Sequence, residues 1–237
     1  MNKVRIGATT QIFVLVLAII FGLAIITPSK LLADNINPQL LQPDAIQYNA
    51  SFPEWTATWW KWILSIPESS NPLTDGTGVY CGQGQSGPVW FLAGTAGGKA
   101  ERICTIPQGK PILLPIMNAE CSFLDFPTAK TVSDLIKCSK EDNDNTIGLK
   151  ASLDGKQLTK LENYRVLSQL FNATIPEHNV LGLPAGKTQM ISDGFWLFLM
   201  PLAPGKHDLQ FGGQTPGDPT VGTNNFAVDV TYHLNVK

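Results

Sequence analysis

The sequence has little charge. Of 237 residues, 17 are Lys or Arg and 19 are Asp or Glu, and no basic block occurs. That excludes the electrostatic footprint of a nucleic-acid binder and a polybasic patch for an anionic membrane. Histidine is scarce, with three residues, and no C-x-x-C is present. No histidine lies near a cysteine in sequence, so a zinc site lacks its usual ligand spacing. Serine catalysis lacks its elbow: Ser86 in "GQSGP" is not in a G-x-S-x-G. The glycines of "GQGQSG" precede no helical pattern, so a phosphate cradle is not expected either. They suit positive φ or close backbone approach beside Cys81. Cysteine is absent before position 81, which excludes a lipid-modified N-terminal cysteine. No metal and no cofactor are expected.

What the chain does contain begins with Lys3 and Arg5, followed by the apolar run "IFVLVLAIIFGLAII" from Ile12 to Ile26. The run suits the apolar region of an export signal and falls short of the roughly 20 residues that span a bilayer. Residues 1–33 therefore read as a signal peptide or a retained N-terminal membrane anchor. The rest is then extracellular or periplasmic, and touches the membrane only through that segment if it is uncleaved. Removing residues 1–33 takes three basic residues and no acid, leaving 14 basic and 19 acidic side chains and a formal charge of −5. Four cysteines, Cys81, Cys104, Cys121 and Cys138, read as two disulfides in an exported chain. Sequential pairing closes the shortest loops and is the expectation, at about 3 kcal/mol per bridge. Asn49 and Asn172 stand in glycosylation sequons.

Residues 34–50 mix polar residues with two prolines and read as a linker. Residues 51–237 read as one domain. "PEWTATWWKWILSIP", from Pro53 to Pro67, starts and stops like a helix. Short apolar runs bounded by Gly or Pro follow at 88–94, 101–106 and 111–117. Val132, Leu135 and Ile136 suggest a short helix over 128–141, with "DNDN" as a loop after it. "GLKASLDG" is a strand entering a tight turn. The segment "DGFWLFLMPLAPGKHDLQFGG" reads as a long apolar strand, a Pro-Gly turn and a second strand. The last strand sets Phe226, Val228, Val230, Tyr232, Leu234 and Val236 on a buried face, with Asp229 and His233 on the wet one. The fold class is mainly β: an antiparallel β-sandwich, immunoglobulin-like or jelly-roll, with one Trp-rich helix and one short helix.

Two stretches, "CGQGQSGPVWFLAG" leading to "RICTIPQGKPILLPIMNAEC" and "SDGFWLFLMPLAPGKHDLQFGG", resemble a group of exported microbial proteins of unassigned function. The resemblance covers most of residues 55–235 and implies no activity, cofactor or catalytic residue. The final hairpin on its own resembles that of immunoglobulin-like bacterial domains.

On a helix, Trp55, Trp59 and Trp62 share one face, which suits a core stripe. Trp60 points elsewhere and is the candidate binding residue, a platform for a sugar ring. Glycoside hydrolysis needs two carboxyls about 5–9 Å apart; Glu120 and Asp125 flank Cys121 and are the candidates, with Glu54 as a third. His207 is in phase with buried Leu209 and Phe211, while His233 is on the wet face, so they do not make a metal pair. Asp142, Asn143, Asp144 and Asn145 offer oxygen ligands but miss the calcium-loop template, because Ile147 and Leu153 fill the glycine and glutamate positions. The reading that results is an exported, disulfide-bonded protein with a binding or structural role at the cell surface or envelope. Its partner would be a glycan or an envelope protein. The alternative is a secreted hydrolase that acts on glycans.

Overall fold

The computed structural model describes residues 37, 39–217, 220 and 224–237; the export segment expected at 1–33 lies outside them. Among the described residues no helix is long and apolar enough to cross a membrane. The first strands among the described residues form a small hairpin, β1 (Ile46–Gln47) and β2 (Ala50–Ser51), which leads directly into helix α1 (Phe52–Leu64). Then come β3 (Trp90–Phe91), β4 (Gly98–Ile106), β5 (Ile112–Ser122) and helix α2 (Val132–Asp144). β6 (Ile147–Leu153), β7 (Lys156–Gln157), β8 (Arg165–Leu167) and β9 (Phe171–Ile175) follow. The chain ends with β10 (Gly186–Leu199), β11 (Gly205–Thr215) and β12 (Phe226–Val236).

Two five-stranded sheets form. The first has the order β3-β5-β10-β8, with β9 also paired to β10; the second has the order β4-β12-β11-β6-β7. Pairing is antiparallel except for β3 with β5 and β4 with β12, so the sandwich expected from the sequence is present with two parallel joins. The long apolar run of β10 is explained by two different cores. Phe195, Leu197 and Leu199 point between the sheets, where they meet Leu209, Phe211, Val230 and Tyr232. Met190, Trp196 and Phe198 point to the opposite face, where α1 covers them. The first sheet is thus buried on both sides, which calls for near-continuous apolar strands instead of alternation. β12 has only one core to face and keeps its alternating pattern.

The segment read as a linker is part of the domain. Leu40 is in the core and bridges Leu199, and the Leu41 N–H donates to the Phe198 carbonyl. Asn37 is buried and its side chain donates to the Thr159 carbonyl. The compact unit is Ile36–Lys237, wider than the 51–237 expected. Its prolines break helix and strand patterns, but its leucines find partners far along the chain. The "DNDN" loop is likewise corrected: it is the last turn of α2, held there because Asn143 is buried and donates to the Asp193 carbonyl.

Both disulfides follow the sequential pairing. Cys81–Cys104 ties the turn-rich segment before β3 to β4, and Cys121–Cys138 ties β5 to α2. An oxidising compartment is consistent with both. Two residues from Cys104, Arg102 is 1% exposed. Its guanidinium donates to the carbonyls of Asp75, Ala93 and Gly94 and to the Tyr232 hydroxyl, at 2.6–2.8 Å. Asp75 is held in turn: its carboxylate accepts from the N–H groups of Thr77 and Tyr80. Arg102→Met keeps much of the volume and removes these donors. Urea unfolding of that variant is expected to show a loss of about 3 kcal/mol or more, the usual scale for stranding buried polar partners. A shift under 0.5 kcal/mol would show that the loops hold without it.

Candidate functional site

The Trp-rich helix buries all four of its tryptophans and leaves a stripe at Glu54, Thr58 and Lys61 exposed. Trp55, Trp59 and Trp62 donate to the carbonyls of Gln47, Leu92 and Gln83 at 2.8–2.9 Å. Trp59 stands edge-on to Trp60, Trp62 and Trp196, with ring centroids 5.3–5.8 Å apart. Trp60 is 5% exposed, which removes it as a surface platform for sugar. The physical reason lies outside the helix. Leu73, Val180, Leu181 and Leu183 come from two loops to cover this core. Asn71 and Asn179 brace those loops through bonds to backbone groups.

Beside Trp60 lies a cavity of about 240 Å³, walled by Trp59, Pro115, Ile116, Met117, Leu181 and Val228 among others. It adjoins an outer cleft of about 620 Å³ bordered by Ala119, Glu141, Asp142, Asn145 and Thr215. Met117, Asn118 and Phe226 line both. Two glycines make this geometry feasible. Gly194 pairs with Asn118, and a Cβ there would lie 2.6 Å from the Asn118 Cα, so only glycine lets β10 and β5 approach at the cleft. Gly97 has φ +108°, and a Cβ on it would lie 3.3 Å from the Phe226 ring. Phe226 itself departs from the buried face assigned to it from the strand pattern. It is 38% exposed, because β12 starts beyond the edge of the core. The Trp60 indole nitrogen and the Asn118 amide nitrogen are buried without a partner, at about 1–3 kcal/mol each.

The candidate acids separate into two groups. Glu54 caps α1: its carboxylate accepts from the Ser51 N–H and hydroxyl, both at 2.7 Å, and these bonds hold it below the ordinary range. Glu120 and Asp125 are brought together. Asp125 is fixed by the Ser122 N–H and hydroxyl at 2.7 and 2.8 Å. Burial, then the hydrogen bond and charge of Asp125, push the Glu120 carboxyl up to about 9. Its Oε2 is buried with no donor, which disfavours the anion. Asp142 is also raised, by burial first and then by Glu141 and Asp125.

The remaining candidates are engaged elsewhere. The His233 ring bonds Glu101 and Asp208, which raise its pKa. Burial lowers that of His207, but bonds to Asp154 and the Ala203 carbonyl outweigh it and leave a net rise. In the acidic run, Asp144 pairs with Arg165 at 2.7 Å. Sulfurs of Cys121 and Cys138 lie within 4.8 Å of an Asp142 oxygen, but they are bonded to each other and leave one carboxylate as ligand.

No family model and no curated protein matches the chain. One solved structure, PbICP-C in complex with falcipain-2, aligns at 13% identity, over 62% of this chain and 98% of that one, with a TM-score of 0.23. Similarity at that level carries no inference about fold or activity.

The raised Glu120 gives a pH test. The folded protein keeps a proton that the unfolded chain releases above pH 4.5, up to about 9. Stability contributed by this group therefore falls as pH rises through that window. Glu120→Gln retains a donor and removes the titration. Its melting temperature is expected to fall less than the wild type's between pH 5 and 9; parallel curves would place the Glu120 proton elsewhere.

Proposed function

We propose that this is an exported glycan-binding protein of the cell surface or envelope, with its site in the cleft at Phe226. The observation that carries this reading is the makeup of the cleft. One wall is an exposed aromatic ring, and the other offers Glu141, Asp142 and the amides of Asn118 and Asn145. A sugar ring has an apolar face that stacks on an aromatic side chain and hydroxyls at its edge that donate to carboxylates. A volume of about 620 Å³ is within the usual range for ligand sites. Cys121–Cys138 anchors α2, which supplies the acidic rim, so the two walls are held at a fixed distance.

A second reading, a glycan-acting hydrolase, is favoured by one observation: Glu120 is held neutral at pH 7, as a general acid must be. Against it, Glu120 lines neither the inner cavity nor the outer cleft. Turnover of a polysaccharide that Glu120→Gln abolishes would establish it.

Calorimetric titration of the full chain, made in an oxidising host, with cellotriose and with triacetylchitotriose tests the main reading. At least one is expected to bind, and Phe226→Ala is expected to weaken binding by about fivefold to tenfold. No heat from either sugar, or binding indifferent to Phe226, would overturn it.

A further inference from the structure

The inner cavity has an unusual polar makeup. The indole N–H of Trp60 and the amide nitrogen of Asn118 are both buried, both unpartnered and both on its wall. Trp90 and Trp196 also have unpartnered indoles, but neither lines this cavity. An indole nitrogen only donates, so what complements Trp60 is an acceptor. Around these donors the wall is made of Leu73, Ile116, Met117, Val180, Leu181 and Val228. A hydroxyl can accept from these donors, but it also brings an O–H that must find its own acceptor in a mostly apolar cavity. A carbonyl oxygen on a short apolar stem satisfies the donors and fills the methyl-lined space. The Gly94 carbonyl on the same wall accepts from Arg102 and makes no bond to Trp60.

The cavity and the outer cleft share Met117, Asn118 and Phe226 on their walls. A group that enters it is therefore attached to whatever lies against Phe226. We infer that the inner cavity receives the N-acyl group of an amino sugar whose ring occupies the Phe226 cleft. The inference rests on the glycan reading above and narrows it to N-acylated amino sugars. The acyl carbonyl accepts from Trp60 and Asn118, and its alkyl end packs on Ile116 and Val228. The amide N–H stays at the mouth, on the side of the Asp142 carboxylate. A volume of about 240 Å³ exceeds an acetyl group's need and accommodates a somewhat longer acyl chain.

The test compares triacetylchitotriose with cellotriose, which has the same linkage and a hydroxyl in place of each acetamido group. The N-acetylated sugar is expected to bind about tenfold or more tightly, the effect of leaving two donors unpaired with the wrong partner. Trp60→Phe removes one donor and is expected to erase most of that preference. Asn118→Leu, at the mouth of the cavity, serves the same purpose if the Trp60 variant does not fold. In wild type, the Trp60 indole proton resonance is expected to move downfield with triacetylchitotriose and to stay put with cellotriose. Equal affinities, tighter binding of cellotriose, or an unmoved indole resonance would overturn this inference and leave the glycan reading standing. If neither sugar binds, both fall together.

Discussion

A guanidinium taken out of water must have its N–H groups met, and Arg102 meets that demand by recruiting the chain around it. Its acceptors come from three places: Asp75 in the turn-rich segment, Ala93 and Gly94 after β3, and Tyr232 at the centre of the second sheet. The Tyr232 hydroxyl then donates to the Ala93 carbonyl and closes the network. These bonds give irregular backbone a defined place against a sheet. Gly94 is on the wall of the inner cavity, so the shape of the candidate site depends on this ion as well. Such a charge is costly to bury, and what it contributes is position more than energy.

The other fixed points work in the same direction. Cys121–Cys138 pins α2 and the acidic rim, and Arg165 joins the end of α2 to Asp193 on β10. Gly194 lets Asn118 sit close against β10. A ligand would thus meet walls already in place, and less affinity is lost to ordering them. The one soft boundary is polar: Asp142 keeps its proton more tightly than a free carboxylic acid does, so the rim carries less negative charge than its composition suggests.

Local signals were legible in the sequence wherever one partner decides the outcome. The stripe of Trp55, Trp59 and Trp62, the alternation of β12 and the two short cysteine loops each describe a single neighbour or face. What escaped was set by distant chain. Trp60 belongs to the core because loops near residues 73 and 181 reach over it. Leu40 belongs there because Leu199 lies alongside. β8 and β9 are short pieces that exist as strands only against the edge of β10. Glu120 and Asp125 were named because they flank Cys121, but their spacing did not single them out and neither lines the cleft. Phe226 was not legible as a site residue, since its periodicity is that of a core residue and only the geometry of the strand's end exposes it. Asp142 and Asn145 stood out as a polar run, yet nothing in that run showed that they border a cleft with Phe226.

The position of the last strand has a consequence for how the chain folds. β12 lies between β4 and β11, joined to β4 in parallel and to β11 in antiparallel register. Among the described residues β12 is the one strand hydrogen-bonded to β4 in its sheet, and more than a hundred residues of chain separate the two. β6, β7 and β11 can pair with one another and cover part of the first sheet's inner face with Leu153, Leu209 and Phe211, but β4 joins only through β12. That join closes a long loop, which raises the contact order and slows folding relative to a sandwich built from hairpins alone.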